Sequence, residues 1–420
     1  MVFMLAGSIV APLAIGTAFQ LAPAEIAGLM QRTFFIVGLA SLLQVLFGHK
    51  LPAVEGPAGL WWGIFIVYAG LVSANVLSVS DGLAQLQLGM MISGLLFVIL
   101  GILRWMDRMK RLFTPLVVGT YLLLLVAQLS GSFIQGMLGV GYLADRVDLK
   151  VAIPALSIFV LAIILSRSSL KILRNYSVLI SLFVGWLLFI ALGIDQPTNI
   201  TAQFFSIPQL LAWGSPQFSS GMMLTSVFIG LLLLANMIAS TSVVEKVLLD
   251  QNEHVQKVNY NRTSLVMGVN TSLAGLFSAI GCVPISASAG FMLTTKIVSR
   301  LPFIIAAILM TASSFFPVVT SVLASIPMPV GYATIFVSFA GMIGIGLKEY
   351  QSLALNEKQL FIIGISLMVG LGSLFVPAET IVSLPAILQT VVNNGLVLGT
   401  VTCIVLEQGM GLISRKLHQS

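Results

Sequence analysis

A single carboxylate stands inside an apolar stretch where the chain also breaks its own helix. The stretch opens at Leu51 as LPAVEGPAGLWWGIF, and the carboxylate is Glu55. A second apolar stretch opens at Gly281 as GCVPISASAGFML, with Pro284, Ser286, Ser288 and Gly290 where a membrane helix would simply continue. In a bilayer, interrupted backbone survives only where protein or a water-filled cavity satisfies its N–H and C=O groups. A helix that starts in mid-membrane offers free N–H groups and a positive dipole end, which hold a polar or anionic ligand without a formal charge on the protein. Pro57 suits the first turn of such a half-helix because its missing N–H would go unpaired there anyway. Val54 and Glu55 run extended before it, and Gly56 and Gly59 permit close approach. Two matched breaks, one in each half of a chain, are the mark of a secondary transporter built from inverted repeats.

Other side chains can join this chemistry. An intramembrane ionisable group is a functional candidate by default, which makes Glu55 the candidate for binding a coupling ion, H+ or Na+. It could instead sit at the rim and pair with Lys50. Asn236 lies within LLLLANMIASTSVVEK, and its amide presents one donor and one acceptor side. An Asn in a span also serves to bond a neighbouring helix. Trp61 could stack on a planar ligand, whereas Trp62 beside it points elsewhere. Ser286 and Ser288 could supply hydroxyls or merely let helices approach. Of the acidic residues, only Glu55 falls inside a break. His49, His254 and His418 sit in polar connections, Cys282 and Cys403 in apolar runs, and no metal-ligand spacing or cofactor motif is present. Without clustered His, Asp or Ser in the spans, the pattern argues against an enzyme.

These residues need a membrane scaffold to hold them. Lys, Arg, Asp and Glu form 8% of the 420 residues, against roughly 25% in soluble domains, and hydrophobic residues form 58%. The mean hydropathy is +1.06. The chain reads as an all-α polytopic membrane protein. Its net charge of +6 comes from scattered residues and marks no nucleic-acid surface. The run RWMDRMKR at 104–111 is a membrane-surface anchor. The first apolar run lacks a basic leader and reads as a true span. With about 20 apolar residues per span, candidates fall near 2–20, 29–47, 56–76, 85–103, 115–137, 151–166, 175–193, 222–243, 263–280, 283–299, 302–324, 329–347, 359–376 and 393–409. Residues 381–392 read as a short interfacial helix. With both termini cytoplasmic, all basic residues but Arg32, Arg146 and Lys150 fall on the inner side. Seven spans on either side of the long connection 194–220, which has no Lys or Arg, give a 7+7 inverted repeat. The broken spans are then the third of each half.

The blocks IVAPLAIG and QRTFFIVGLASLLQVLFGHKLPAVEGPAGLWWG, with NYNRTSLVMGVNTSLAGLFSAIG and SIPMPVGYATIFVSFAGMIGIGLK further on, resemble the nucleobase–ascorbate transporter family, also known as xanthine/uracil permeases. The likeness runs over nearly the whole chain. It implies short antiparallel strands in spans 3 and 10 that frame a nucleobase site. It also implies a core domain (1–110 and 221–325) that shifts against a gate domain (111–193 and 326–420), with 194–220 as an external linker. Possible homodimers, a location in the cell (inner) membrane and a proton or sodium gradient as driving force come with it. The resemblance places Asn236 where many relatives carry a base-gripping Glu, and Ser240 where a His or Asp often stands. In the tenth-span signature Gly290, Thr295 and Lys296 match, but Ala287 replaces an acid or amide and Ser288 an Asn. In the third span Gly59 takes an aromatic position, with Trp61 two residues on. The expected function is uptake of a nucleobase such as uracil or xanthine by cation symport. The alternatives are an anion carrier of the same fold and a membrane sensor that binds base without moving it.

Overall fold

The computed structural model describes residues 2–109, 112, 114–144, 146–195, 203–251, 257–286, 288–289, 291–292, 298–353, 355–377, 380, 392 and 395–417. Its elements are α1 (Val2–Ala18), α2 (Pro23–Phe47), β1 (Glu55–Pro57), α3 (Gly59–Ser73), α4 (Val79–Ile102), α5 (Met106–Met109), α6 (Pro115–Met137), α7 (Leu149–Ser166), α8 (Lys171–Asn175) and α9 (Ser177–Ala191). After the connection follow α10 (Ser220–Asp250), α11 (Tyr260–Leu276), β2 (Cys282–Pro284), α12 (Arg300–Ser313), α13 (Pro317–Ala324), α14 (Met328–Gln351), α15 (Glu357–Ser373) and α16 (Gly395–Leu417). Capping side chains set several starts: Ser78 accepts from the Asp81 N–H, Asn259 from Arg262 and Asn356 from Gln359.

Six described helices, α2, α4, α6, α7, α10 and α14, are long and apolar enough to cross a bilayer. Shorter apolar helices occupy Gly7–Ala18, Gly59–Ser73, Ser177–Ala191 and Gly395–Met410. The stretch 302–324, read above as one span, is α12 and α13 meeting at 87°. Two local causes act at the corner. Ser313 and Ser314 turn their hydroxyls onto the carbonyls of Met310 and Thr311, and Pro317 has no N–H with which to continue α12. The interfacial helix expected at 381–392 lies, but for residue 392, outside the described residues.

Glycines let the helix backbones touch. A Cβ on Gly268 of α11 would lie 2.6 Å from the carbonyl oxygen of Gly94 and 2.9 Å from the Val98 nitrogen, both on α4. One on Gly38 of α2 would meet the Thr311 nitrogen of α12 at 2.6 Å. Small residues do this in membranes because lipid offers no hydrophobic drive, so close van der Waals contact has to hold helices together. Thus α4 packs on α11, and α2 on α12 and α13; elsewhere α6 packs on α14 and α16, α7 on α9, and α15 on α16.

The two breaks meet. β1 and β2 run antiparallel, with Glu55 opposite Pro284, Gly56 opposite Val283 and Pro57 opposite Cys282. Beyond the strands the Ala58 N–H donates to the Gly281 carbonyl at 2.8 Å, and the Ile285 N–H to the Val54 carbonyl at 2.9 Å. Adding 227 to Ala58 and Val54 gives Ile285 and Gly281, so each bond is the copy of the other. The same shift carries Pro57 onto Pro284. Pro57 does not open the half-helix, as the sequence suggested. It ends the strand, where its missing N–H costs little, and α3 starts at Gly59 after an extended Ala58.

The connection between the halves is tied down over its described part. Arg32 of α2 donates from Nε to the Ser278 carbonyl at 3.0 Å and lies over the Trp213 ring. Ser278 donates to Gln87 Oε1 and accepts from the Trp213 N–H, while Gln87 donates to the Gly214 carbonyl. Arg32 is 7% exposed, so its loss leaves a buried carbonyl unpaired. Arg32→Ala is expected to cost about 1–3 kcal/mol, seen as a lower thermal unfolding midpoint of the detergent-purified protein.

Candidate substrate and coupling site

The paired strands fix the start of α3 inside the protein, where Leu60 and Trp61 are buried. Gly59 opens the helix; a Cβ there would touch Leu125 of α6 at 3.4 Å and Phe339 of α14 at 3.9 Å. One turn on, the Trp62 ring packs 5.5 Å from Phe133 of α6 and 5.4 Å from Phe339. This face of α3 therefore looks toward α6 and α14. Trp61 turns the other way. It is fully buried with its indole against Gly281, where an added Cβ would lie 2.5 Å from its Cδ1. Trp61 thus packs behind the strand pair, and its indole N–H has no partner among the described residues.

Glu55 is wholly buried on β1. Its backbone N–H donates to the Ser41 hydroxyl at 3.0 Å. Its carboxyl does not pair with Lys50. It meets His49, whose Nε2 lies 3.2 Å from Oε1, while Oε2 has no partner among the described residues. His49 was placed above in a polar connection, but it is 2% exposed. The reason is the backbone: Lys50 takes φ +61°, the left-handed region, which reverses the chain after α2 and turns His49 inward. The signal available in the sequence was a His six positions before the lone buried acid; the adjacent Lys50 masked it.

The second break braces the first. The Ser288 hydroxyl accepts the Val54 N–H at 3.0 Å, which ties it to the residue before β1. Ser286 sits half-buried in the turn after β2. Ala287, Gly290, Thr295 and Lys296 lie outside the described residues. Asn236 and Ser240 are one helical turn apart on α10, which packs on β2 and α3. Ser240 donates to Asn236 Oδ1 at 3.0 Å, and the Asn236 N–H2 group has no partner among the described residues. The structure thus joins Glu55 with His49, Val54 with Ser288 and Asn236 with Ser240. It sets Gly59 on the α6 and α14 side and Trp61 against the strands.

Residues 1–379 match the model of the Permease family, Xan_ur_permease. The chain belongs to this family. It is therefore a multi-pass membrane permease and not an enzyme. It is 40% identical over 409 residues to "Putative purine permease YwdJ" of Bacillus subtilis (strain 168), covering 97% of this chain and 93% of that one. It is 24% identical over 420 residues to the xanthine permease of the same organism, covering 96% of this chain and 90% of the relative. Among solved structures, the transmembrane domain of the cyanobacterial bicarbonate transporter BicA superposes with a TM-score of 0.65 at 16% identity, over 97% of this chain and 96% of that one. That likeness speaks for the permease's fold alone.

Proposed function

We propose that this permease takes up a nucleobase, a purine or a pyrimidine such as xanthine or uracil, across the cell membrane by cation symport. The observation that carries the reading is the strand pair formed by the two breaks. It places a half-helix start against α10, where Asn236 offers an amide to a base edge. The relatives named for purines and xanthine support the substrate class. In this reading the chain has fourteen spans in a 7+7 inverted repeat with both termini cytoplasmic, and the two breaks that pair as strands are the third span of each half.

In this reading the core, residues 1–110 and 221–325, carries the site past a gate of residues 111–193 and 326–420 in an elevator-like motion. Gly59 and Trp62 sit where the two parts meet, and Ser286, Ser288 and Asn236 with Ser240 surround the base. In this reading the base presents donors and acceptors along one edge, which the Asn236 amide can meet.

The test is uptake of labelled uracil, xanthine, hypoxanthine and urate by a permease-deficient bacterium expressing the chain, with and without a protonophore. At least one base is expected to accumulate, and the protonophore to abolish the accumulation. Binding of a base without accumulation would instead make the protein a sensor.

A further inference from the structure

The buried pair of His49 and Glu55 has more order than a bridge needs. The Leu51 N–H donates to His49 Nδ1 at 2.9 Å. Nδ1 is then an acceptor, so the neutral ring carries its hydrogen on Nε2, the atom that faces Glu55 Oε1 at 3.2 Å. A second proton on the ring would have to sit on Nδ1, against the Leu51 N–H. His49 is thereby held as a fixed donor. Glu55 is held through its backbone by Ser41, and through the preceding residue by Ser288. What remains open is Oε2, buried and without a partner among the described residues.

We propose that Glu55 carries a coupling proton at Oε2, and that His49 is the positioning residue that fixes the carboxyl through a locked Nε2–H. This rests on the reading of the chain as a coupled base permease and chooses the proton over sodium. A sodium ion wants several oxygens converging on it, whereas an N–H already occupies one oxygen of Glu55. In the step, an O–H bond forms at Oε2 as an O–H bond of hydronium breaks on one side and leaves water; on the other side the Oε2–H bond breaks as a water molecule takes the proton and becomes hydronium.

The surroundings leave Glu55 as the group that titrates. Cys282 lies on the neighbouring strand, its thiol donating to the Ile280 carbonyl. The guanidinium of Arg300 acts on His49 through its charge, and half-buried Lys50 follows His49 in the chain. α1 brings no titratable side chain to β1. Those of α2, Glu25 and Arg32, lie in its N-terminal half, where Arg32 is bound to Ser278.

The experiment uses purified full-length protein in proteoliposomes with a labelled base that the wild type accumulates. An inward proton gradient is expected to drive accumulation in the wild type, and a sodium gradient is not. Glu55→Gln should lower proton-driven accumulation at least tenfold, and its remaining base-for-base exchange should lose its dependence on pH. His49→Asn keeps an acceptor for Leu51 but removes the donor to Glu55. It should move the midpoint of the pH profile upward by about one unit, because the ionised carboxylate loses its hydrogen bond. His49→Gln can still donate and should keep the midpoint near that of the wild type. Accumulation driven by sodium alone, intact proton-driven accumulation in Glu55→Gln, or unmoved pH profiles in both His49 variants would each overturn the proposal. If no base is transported, the substrate reading fails and the proton site is decided separately. Infrared difference spectra of the purified protein between acid and alkaline pH should show a carboxylic acid band that Glu55→Gln lacks and His49→Asn shifts. A spectrum without such a band in the wild type would overturn the proposal, whether or not the variants fold.

Discussion

Asn236→Ala is expected to abolish base uptake while the protein still inserts into the membrane at normal levels. Ser240 orients the amide by donating to its Oδ1, which leaves the N–H2 group to face a ligand. Alanine removes both sides of the amide. Losing two hydrogen bonds to a buried base costs about 2–3 kcal/mol, or roughly a hundredfold in apparent affinity. The packing of α10 does not depend on this amide, so the amount of protein should not change. Ser240→Ala should have a smaller effect of the same kind, since the amide survives but loses its orientation. The measurement is initial uptake at low base concentration, normalised to membrane-embedded protein. Normal uptake by Asn236→Ala would remove this residue from the site.

Gly268→Leu should fail in the opposite way, by losing the protein itself. The added side chain would drive into the carbonyl of Gly94 and the nitrogen of Val98, which are backbone atoms of α4 and cannot swing aside. Overpacking of a tight contact costs about 1–3 kcal/mol when neighbours can adjust, and more when they cannot. Here the α4–α11 crossing must open, and with it the support for both strands. The expected result is little monodisperse protein in detergent and a steep fall in the unfolding midpoint. Gly364→Leu is the control, because a Cβ at that position of α15 meets nothing within 4 Å. Equal stability of Gly268→Leu and the wild type would contradict the packing described here.

The breaks were legible in the sequence because proline and glycine interrupt apolar runs for a local reason, and the bilayer allows few ways to satisfy the freed backbone. That the two breaks belong together followed from the inverted-repeat logic; that they carry paired strands was implied by the family resemblance alone, and the strands lie in both breaks. Finer features depended on backbone direction, which composition does not encode. The reversal at Lys50 turned His49 from an apparent loop residue into the partner of Glu55. The strand took Pro57, so the half-helix begins two residues later. Hydropathy sees apolar runs and not their axes, so 302–324 read as one span although α12 and α13 meet at 87°. Trp61 and Trp62 are equally apolar in sequence; helical phase alone sends one behind the strands and the other toward α6 and α14.

The central claim is that the paired strands at residues 54–58 and 281–285, with α10 beside them, hold a nucleobase. A cryo-electron microscopy map of the full-length protein with the accumulated base bound tests it most directly. The account predicts planar density at the N-terminus of α3, within hydrogen-bond distance of the Asn236 amide. Density at the separate cavity lined by Gln31, Gln203, Ser206, Thr320 and Ser321, with the strand region empty, would contradict it.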